Sequence, residues 1–196
     1  MAADLITMDD LTNEEIETLL DDAERLLPVA KGQAFLPLLQ GKVLGNMFFE
    51  PSTRTRMSFE TAMKRLGGSV VNLGALASSS VTKGETLFDT MKMVDGYCDV
   101  AVLRHPRQGA AQYAADACEI SILNGGDGAG HHPTQTMLDL FTIKQAHGTL
   151  NLNVVMVGDL RYGRTVHSLS YALSRFGANL TFIAPSSLSM PNEIIE

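Results

Sequence analysis

The sequence predicts an α/β protein: a parallel sheet with helices on both faces, followed by the beginning of a second, Rossmann-like α/β unit. From residue 43 onward, short apolar runs alternate with segments of helical period, and this βαβα order implies parallel strands whose carboxyl ends gather ligands. The stretches richest in arginine, histidine, hydroxyls and glycine fall at those ends.

The first helix is read from Leu11, Ile16, Leu19, Leu20, Ala23, Leu26 and Leu27, which recur at helical spacing behind a Thr12–Glu15 capping box. After Pro28 and Pro37 come strand 43–49, helix 53–66, strand 69–73, helix 85–96, strand 99–103, helix 108–117, strand 120–123 and helix 134–146. Asn124 to Gly130 is read as a glycine-rich loop. Gly74 to Gly84, long and built from small residues, reads as a second loop, mobile when empty, with Lys83 at its far end able to close on an anion. A solvated surface loop is the plain alternative. Around Gly148 to Asn151 a new pattern starts with strand 154–157, helix 164–176 and strand 179–183. This places a domain boundary between 148 and 149, with 149–196 an incomplete second domain, since two or three strands make a poor domain alone.

Composition narrows the function. With 196 residues and 45% apolar content, the chain can bury a proper core. A net charge of −7 and a pI near 5.2 argue against a nucleic-acid binder. Cys98 and Cys118 form neither a metal-ligand spacing nor a disulfide framework and read as buried reduced thiols. No His-x-x-x-His or His/Cys cluster indicates a metal. The acidic N-terminal stretch does not read as a signal peptide and no apolar run reaches the length of a membrane span, so a cytoplasmic location is expected.

The organising stretch is Phe48-Phe49-Glu50-Pro51-Ser52-Thr53-Arg54-Thr55-Arg56. A strand stops at Pro51, and Ser52 or Thr53 can cap the helix that follows. Outward N–H groups, the positive helix end, hydroxyls and Arg54 describe an anion site sized for a phosphate. Residues two apart on a helix project about 200° from each other, so the two arginines need not share a task. Arg54 lies on a polar line with Ser58, Thr61 and Arg65 and is assigned to the ligand; Arg56 lies beside the apolar stripe and is expected to pair a carboxylate. An ordinary capped helix with solvated arginines remains the alternative.

Two more segments sit at strand ends: Arg104-His105-Pro106, and His131-His132-Pro133-Thr134-Gln135. Pro133 suits a first helical position. His132 either caps that helix or polarises a carbonyl, and Gln135 can recognise an amide with its donor and its acceptor. Gly158 to Thr165 imitates a phosphate loop with Arg164 in the lysine position, but Asp159 would repel phosphate, so Arg164 better suits a carboxylate.

Phe-Phe-Glu-Pro-Ser-Thr-Arg-Thr-Arg, Lys-Gly-Glu-Thr at 83–86, Arg-His-Pro at 104–106, Gly-Asp-Gly at 126–128, His-Pro-Thr-Gln at 132–135 and Gly-Asp-Leu-Arg-Tyr-Gly-Arg-Thr at 158–165 together resemble the catalytic chains of aspartate carbamoyltransferases. The resemblance implies a carbamoyl-phosphate domain over 1–148 and the first part of an aspartate domain over 149–196. It implies carbamoyl transfer from carbamoyl phosphate to L-aspartate, in pyrimidine synthesis, with no cofactor. Ser52, Thr53, Arg54 and Thr55 would hold the phosphate, Thr55, Arg104 and His132 the carbonyl oxygen, and Gln135 the carbamoyl amide. Arg164 would bind an aspartate carboxylate, while Glu50 and Tyr162 would accompany domain closure. Ser79, with Ser80 the alternative, and Lys83 would reach a neighbouring subunit's site, Lys83 also toward aspartate, which implies a homotrimer; a regulatory subunit is left open. The family's chains continue beyond position 196 with further aspartate contacts and a returning helix. An ornithine-type enzyme, or a module that binds carbamoyl phosphate or assembles without turnover, are the alternatives.

Overall fold

The computed structural model describes residues 4–73, 84–128 and 130–195, with the Arg164 side chain excepted. Ser79, Ser80 and Lys83 therefore lie outside the described residues, as does most of the loop expected from Gly74 to Gly84.

Four parallel strands form the main sheet, β1 (Val43–Phe48), β2 (Ser69–Asn72), β3 (Val100–His105) and β4 (Ser121–Asp127), in the order β2-β1-β3-β4. The helices between them are α2 (Arg54–Arg65), α3 (Leu87–Tyr97) and α4 (Ala110–Ala117); α1 (Asn13–Ala30) precedes the sheet and α5 (Pro133–His147) follows it. Alternation along β1 explains the layering, because successive side chains point to opposite faces. Met47 and Phe49 pack with Ala101, Leu103 and Ile122 against Met91 and Val94 of α3 and Ala111 and Ala114 of α4. Leu44, Phe48 and Val102 pack on the other face against Met63 of α2. Helices thus cover both faces, as expected.

A second parallel pair, β5 (Asn153–Val157) and β6 (Asn179–Ile183), is linked by α6 (Arg164–Arg175) and followed by the short α7 (Asn192–Ile195). It joins the rest through one apolar cluster in which Ile16 and Leu20 of α1 and Leu140 of α5 meet Met156, Leu160 and Leu173. Arg175 at the end of α6 secures this junction, donating to Met8 O at 2.9 Å, Leu11 O at 2.6 Å and Asn13 Oδ1 at 2.9 Å.

α1 runs through Pro28 to Ala30; Pro28 and Glu24 are both exposed, so the carbonyl that loses its helical donor faces water. Two local expectations are corrected. Asn124 to Asp127 is not loop but the end of β4, pairing with β3 as far as His105↔Asp127 across a register shift. The glycines serve that irregularity: Gly126 has φ +117. Thr53 occupies the N-cap of α2 in αR conformation, and its hydroxyl makes no capping bond. The Thr12–Glu15 capping box and Pro133 at the first position of α5 are present. Both cysteines are free, Cys98 buried and Cys118 half-buried. No helix among the described residues is long and apolar enough to cross a membrane.

Candidate active site

The carboxyl ends of β1, β3 and β4 open into a cavity of about 690 Å³. Its walls bring together Ser52, Thr53, Arg54 and Thr55 from the start of α2, Arg104 from β3, His132, Thr134 and Gln135 from the start of α5, and Thr165 from the start of α6. Three helices therefore present their first turns to one space. Among the described residues, none of the three carries a side-chain cap; of the helices that begin elsewhere, α1 and α3 are capped by Thr12 and Thr86, while α4, which follows Gly109, has no side-chain cap either. The first N–H groups of an uncapped helix keep their hydrogen-bonding demand, and three positive helix ends add to the charge of Arg54 and Arg104.

Arg104 is half-buried and held from two sides. Its Nε donates to Glu50 Oε1 at 2.7 Å and its Nη1 to Gly125 O at 3.2 Å. Gly125 and Gly126 make this approach possible: a Cβ on Gly126 would stand 3.3 Å from Arg104 Nη1 and 3.5 Å from His132 Cδ2. Glycine here lets the backbone run directly behind two cavity side chains.

His132 is the N-cap residue of α5 and is 7% exposed, with Nδ1 3.3 Å from Thr134 Oγ1. Its backbone carbonyl accepts from Gln135 N and Thr136 N, which starts the helix. Gln135 in turn donates through Nε2 to Asp139 Oδ1 at 3.1 Å. Burial raises the Asp139 carboxyl above its ordinary value, and the Gln135 bond acts against that shift.

The loops behind the cavity are organised by Asp127, 3% exposed. Its Oδ2 accepts from Gly109 N at 2.8 Å, and its Oδ1 from His131 N at 2.6 Å and Asn124 Nδ2 at 3.3 Å. One carboxylate thus joins the turn before α4 to the turn before α5. Asn124 Nδ2 also donates to Ile6 O at 2.9 Å, which ties the N-terminal segment to the same point.

Several expected site residues stand elsewhere. Arg56 is exposed and forms no ion pair among the described residues. The nearby Glu60 carboxylate is taken by Lys64 at 2.6 Å, because Lys64 lies one helical turn on and reaches it directly. Tyr162 is 70% exposed, under the Arg161 guanidinium at 5.5 Å, and does not line the cavity. Arg164 opens α6 beside Thr165, and its side chain lies outside the described residues. His105 and Pro106 face a different cavity of about 760 Å³, with Phe49, Thr86, Arg107 and Tyr113. Burial lowers the His105 imidazole's basicity, with Arg107 acting in the same direction. No cluster of three or more metal-ligating side chains occurs among the described residues.

Sequence reasoning missed Thr165, Asp127 and Asp139. Thr165 needed the packing of α6 against α5. Asp127, an acid between glycines with no cation nearby in sequence, and Asp139, one helical turn after Gln135, were visible as patterns.

Residues 3–145 match the family described as "Aspartate/ornithine carbamoyltransferase, carbamoyl-P binding domain". The aspartate carbamoyltransferase catalytic subunit of Methanothrix thermoacetophila is 55% identical over 97% of this chain and 62% of its own. That of Archaeoglobus fulgidus is 53% identical over 100% and 66%. Among solved structures, the catalytic subunit of M. jannaschii aspartate transcarbamoylase superposes with a TM-score of 0.93 at 50% identity, covering 98% of this chain and 64% of that one. The Trypanosoma cruzi aspartate transcarbamoylase in complex with carbamoyl phosphate superposes with a TM-score of 0.89 at 42% identity, covering 100% and 61%. The chain spans about two thirds of the length of these relatives. It belongs to the aspartate/ornithine carbamoyltransferase family.

Proposed function

We propose that the cavity holds carbamoyl phosphate and that the protein transfers the carbamoyl group to L-aspartate, giving N-carbamoyl-L-aspartate and phosphate. The observation that carries this reading is the meeting of three uncapped helix starts with Arg54 and Arg104 around one cavity. Such a place favours a multiply charged anion with several acceptor oxygens.

In this reading Ser52, Thr53, Arg54 and Thr55 hold the phosphate. Thr55, Arg104 and His132 face the carbonyl oxygen and stabilise the negative charge that develops on it as the aspartate amine attacks. The Thr134 hydroxyl lies 3.3 Å from His132 Nδ1; in this reading it donates to Nδ1, and the neutral ring carries its proton on Nε2. The new C–N bond forms, the bond from the carbonyl carbon to the phosphate oxygen breaks, and the departing phosphate accepts the amine proton. Gln135 orients the carbamoyl amide. Holding amine and carbonyl in attack geometry supplies much of the rate.

Arg164 and Lys83 bind aspartate carboxylates, and Lys83 with Ser79 enters the site of a neighbouring copy in a cytoplasmic homotrimer. Glu50 and Tyr162 act in domain closure, between a carbamoyl-phosphate domain over 1–148 and an aspartate domain that begins at 149. The catalytic-subunit names of relatives at 53–55% identity support aspartate as the acceptor. A product assay on the complete protein with aspartate and ornithine in competition tests the reading. Carbamoyl aspartate as the dominant product is expected; faster carbamoylation of ornithine overturns the acceptor assignment.

A further inference from the structure

Asp139 stands one helical turn beyond Gln135 on α5 and accepts its Nε2–H at 3.1 Å. Gln135 lines the cavity and Asp139 does not. An ionised carboxylate has acceptors only, so it can face only the NH2 end of a carboxamide. The two ends of a carboxamide lie on opposite sides of one planar group, so committing Nε2 to Asp139 turns Oε1 away from it. Asp139 enters no ion pair among the described residues, and burial is the main influence on its carboxyl. A half-buried acid with this one side-chain donor among the described residues keeps that bond at the expense of the reversed carboxamide.

We infer that Asp139 is a positioning residue that fixes Gln135 as an acceptor toward the cavity and thereby makes the site select acyl phosphates whose acyl group carries N–H donors. This rests on the carbamoyl phosphate reading given above. Carbamoyl and acetyl phosphate are close in size and differ in presenting NH2 or CH3. An acceptor facing NH2 is paired, whereas one facing CH3 is desolvated and left without a partner, and a site built around a hydrogen bond rejects the analogue that lacks it. With the carboxamide reversed, its NH2 would oppose the carbamoyl NH2, and the selection would be lost.

The test is titration calorimetry on the 196-residue chain with carbamoyl phosphate, acetyl phosphate and inorganic phosphate. It compares the unaltered chain with Asp139→Asn, whose carboxamide can pair Gln135 in either orientation, and with Asp139→Leu, which offers no acceptor. The preference for carbamoyl over acetyl phosphate is expected to fall roughly tenfold in both variants, the scale of one hydrogen bond to a desolvated group, while inorganic phosphate binds as before. An unchanged preference in both variants overturns the inference while leaving the carbamoyl phosphate reading intact. Parallel loss of all three ligands means that Asp139 serves the fold alone, which also overturns it. An unaltered chain that binds none of the three removes the carbamoyl phosphate reading, and the inference with it.

Discussion

Arg104 and Glu50 form an ion pair of 2.7 Å that bridges the end of β3 to the turn after β1, with side chains 13% and 24% exposed. The pair sets the edge of the cavity, since Arg104 lines it and Glu50 begins the turn that leads to Ser52. Glu50→Ala leaves a mostly desolvated guanidinium with one partner fewer. Urea denaturation is expected to show a loss of about 1–3 kcal/mol, and Glu50→Gln, which keeps an acceptor, a smaller one.

Arg54 and Arg56 are separated by one residue and differ in what they face. Arg54 lines the cavity; Arg56 does not, and acts on Glu60 only through its charge, behind the closer Lys64. Calorimetry with carbamoyl phosphate is expected to show Arg54→Ala weakened by about 2–4 kcal/mol and Arg56→Ala by less than about 1 kcal/mol. Equal losses would contradict the division.

Asp127 is the keystone of the loops behind the site. Asp127→Ala leaves Gly109 N, His131 N and Asn124 Nδ2 without their shared acceptor. A destabilisation of about 3 kcal/mol or more is expected, with hydrogen exchange at the Gly109 and His131 amides accelerated beyond the change at β1.

The order of elements was legible because each depends on residues close in sequence. The period of Leu11 to Leu27, the Thr12–Glu15 box, Pro133 at a helix start and the apolar run ending at Pro51 all act within a few residues of themselves. The gathering of Arg54, Arg104, His132 and Gln135 about one cavity followed from βαβα order alone, since parallel strands bring their carboxyl ends to one edge. What escaped depends on distant partners. Glu50 and Arg104 are 54 residues apart, and nothing local distinguishes the acid that will meet a given arginine. β4 runs on through Asn124-Gly-Gly-Asp127 because β3 and Leu5 pair with it, although glycines by themselves read as loop. Arg56 beside the apolar stripe suggested a carboxylate partner at the core's edge, but Arg56 is exposed there.

Two carboxylates should pull stability in opposite directions with pH. Burial acts on Asp95, but hydrogen bonds from Glu119 N, Ile120 N and Lys92 outweigh it and hold the carboxyl below its ordinary 3.8. A lowered folded value means that the stabilisation is present above 3.8 and lost as pH falls through the folded value. Asp139, raised by burial, has the reverse sign: the folded state binds its proton more tightly, so stability falls as pH rises from 3.8 through the folded value. Thermal unfolding across pH is therefore expected to show Asp95→Asn less stable than the unaltered chain at pH about 7 and converging with it in acid. Asp139→Asn should be at least as stable as the unaltered chain at pH about 7, with the difference shrinking in acid.

Whether carbamoyl phosphate occupies the proposed cavity at the starts of α2 and α5, and not the neighbouring one of similar size beside His105 and Arg107, is measured most directly by mapping backbone amide chemical-shift changes while carbamoyl phosphate is added to the labelled chain. Saturable changes, with one common midpoint, are expected at Thr53 to Arg56 and at His132, Thr134 and Gln135. Changes confined to Thr86, His105 and Arg107, or none that saturate, would contradict that occupancy.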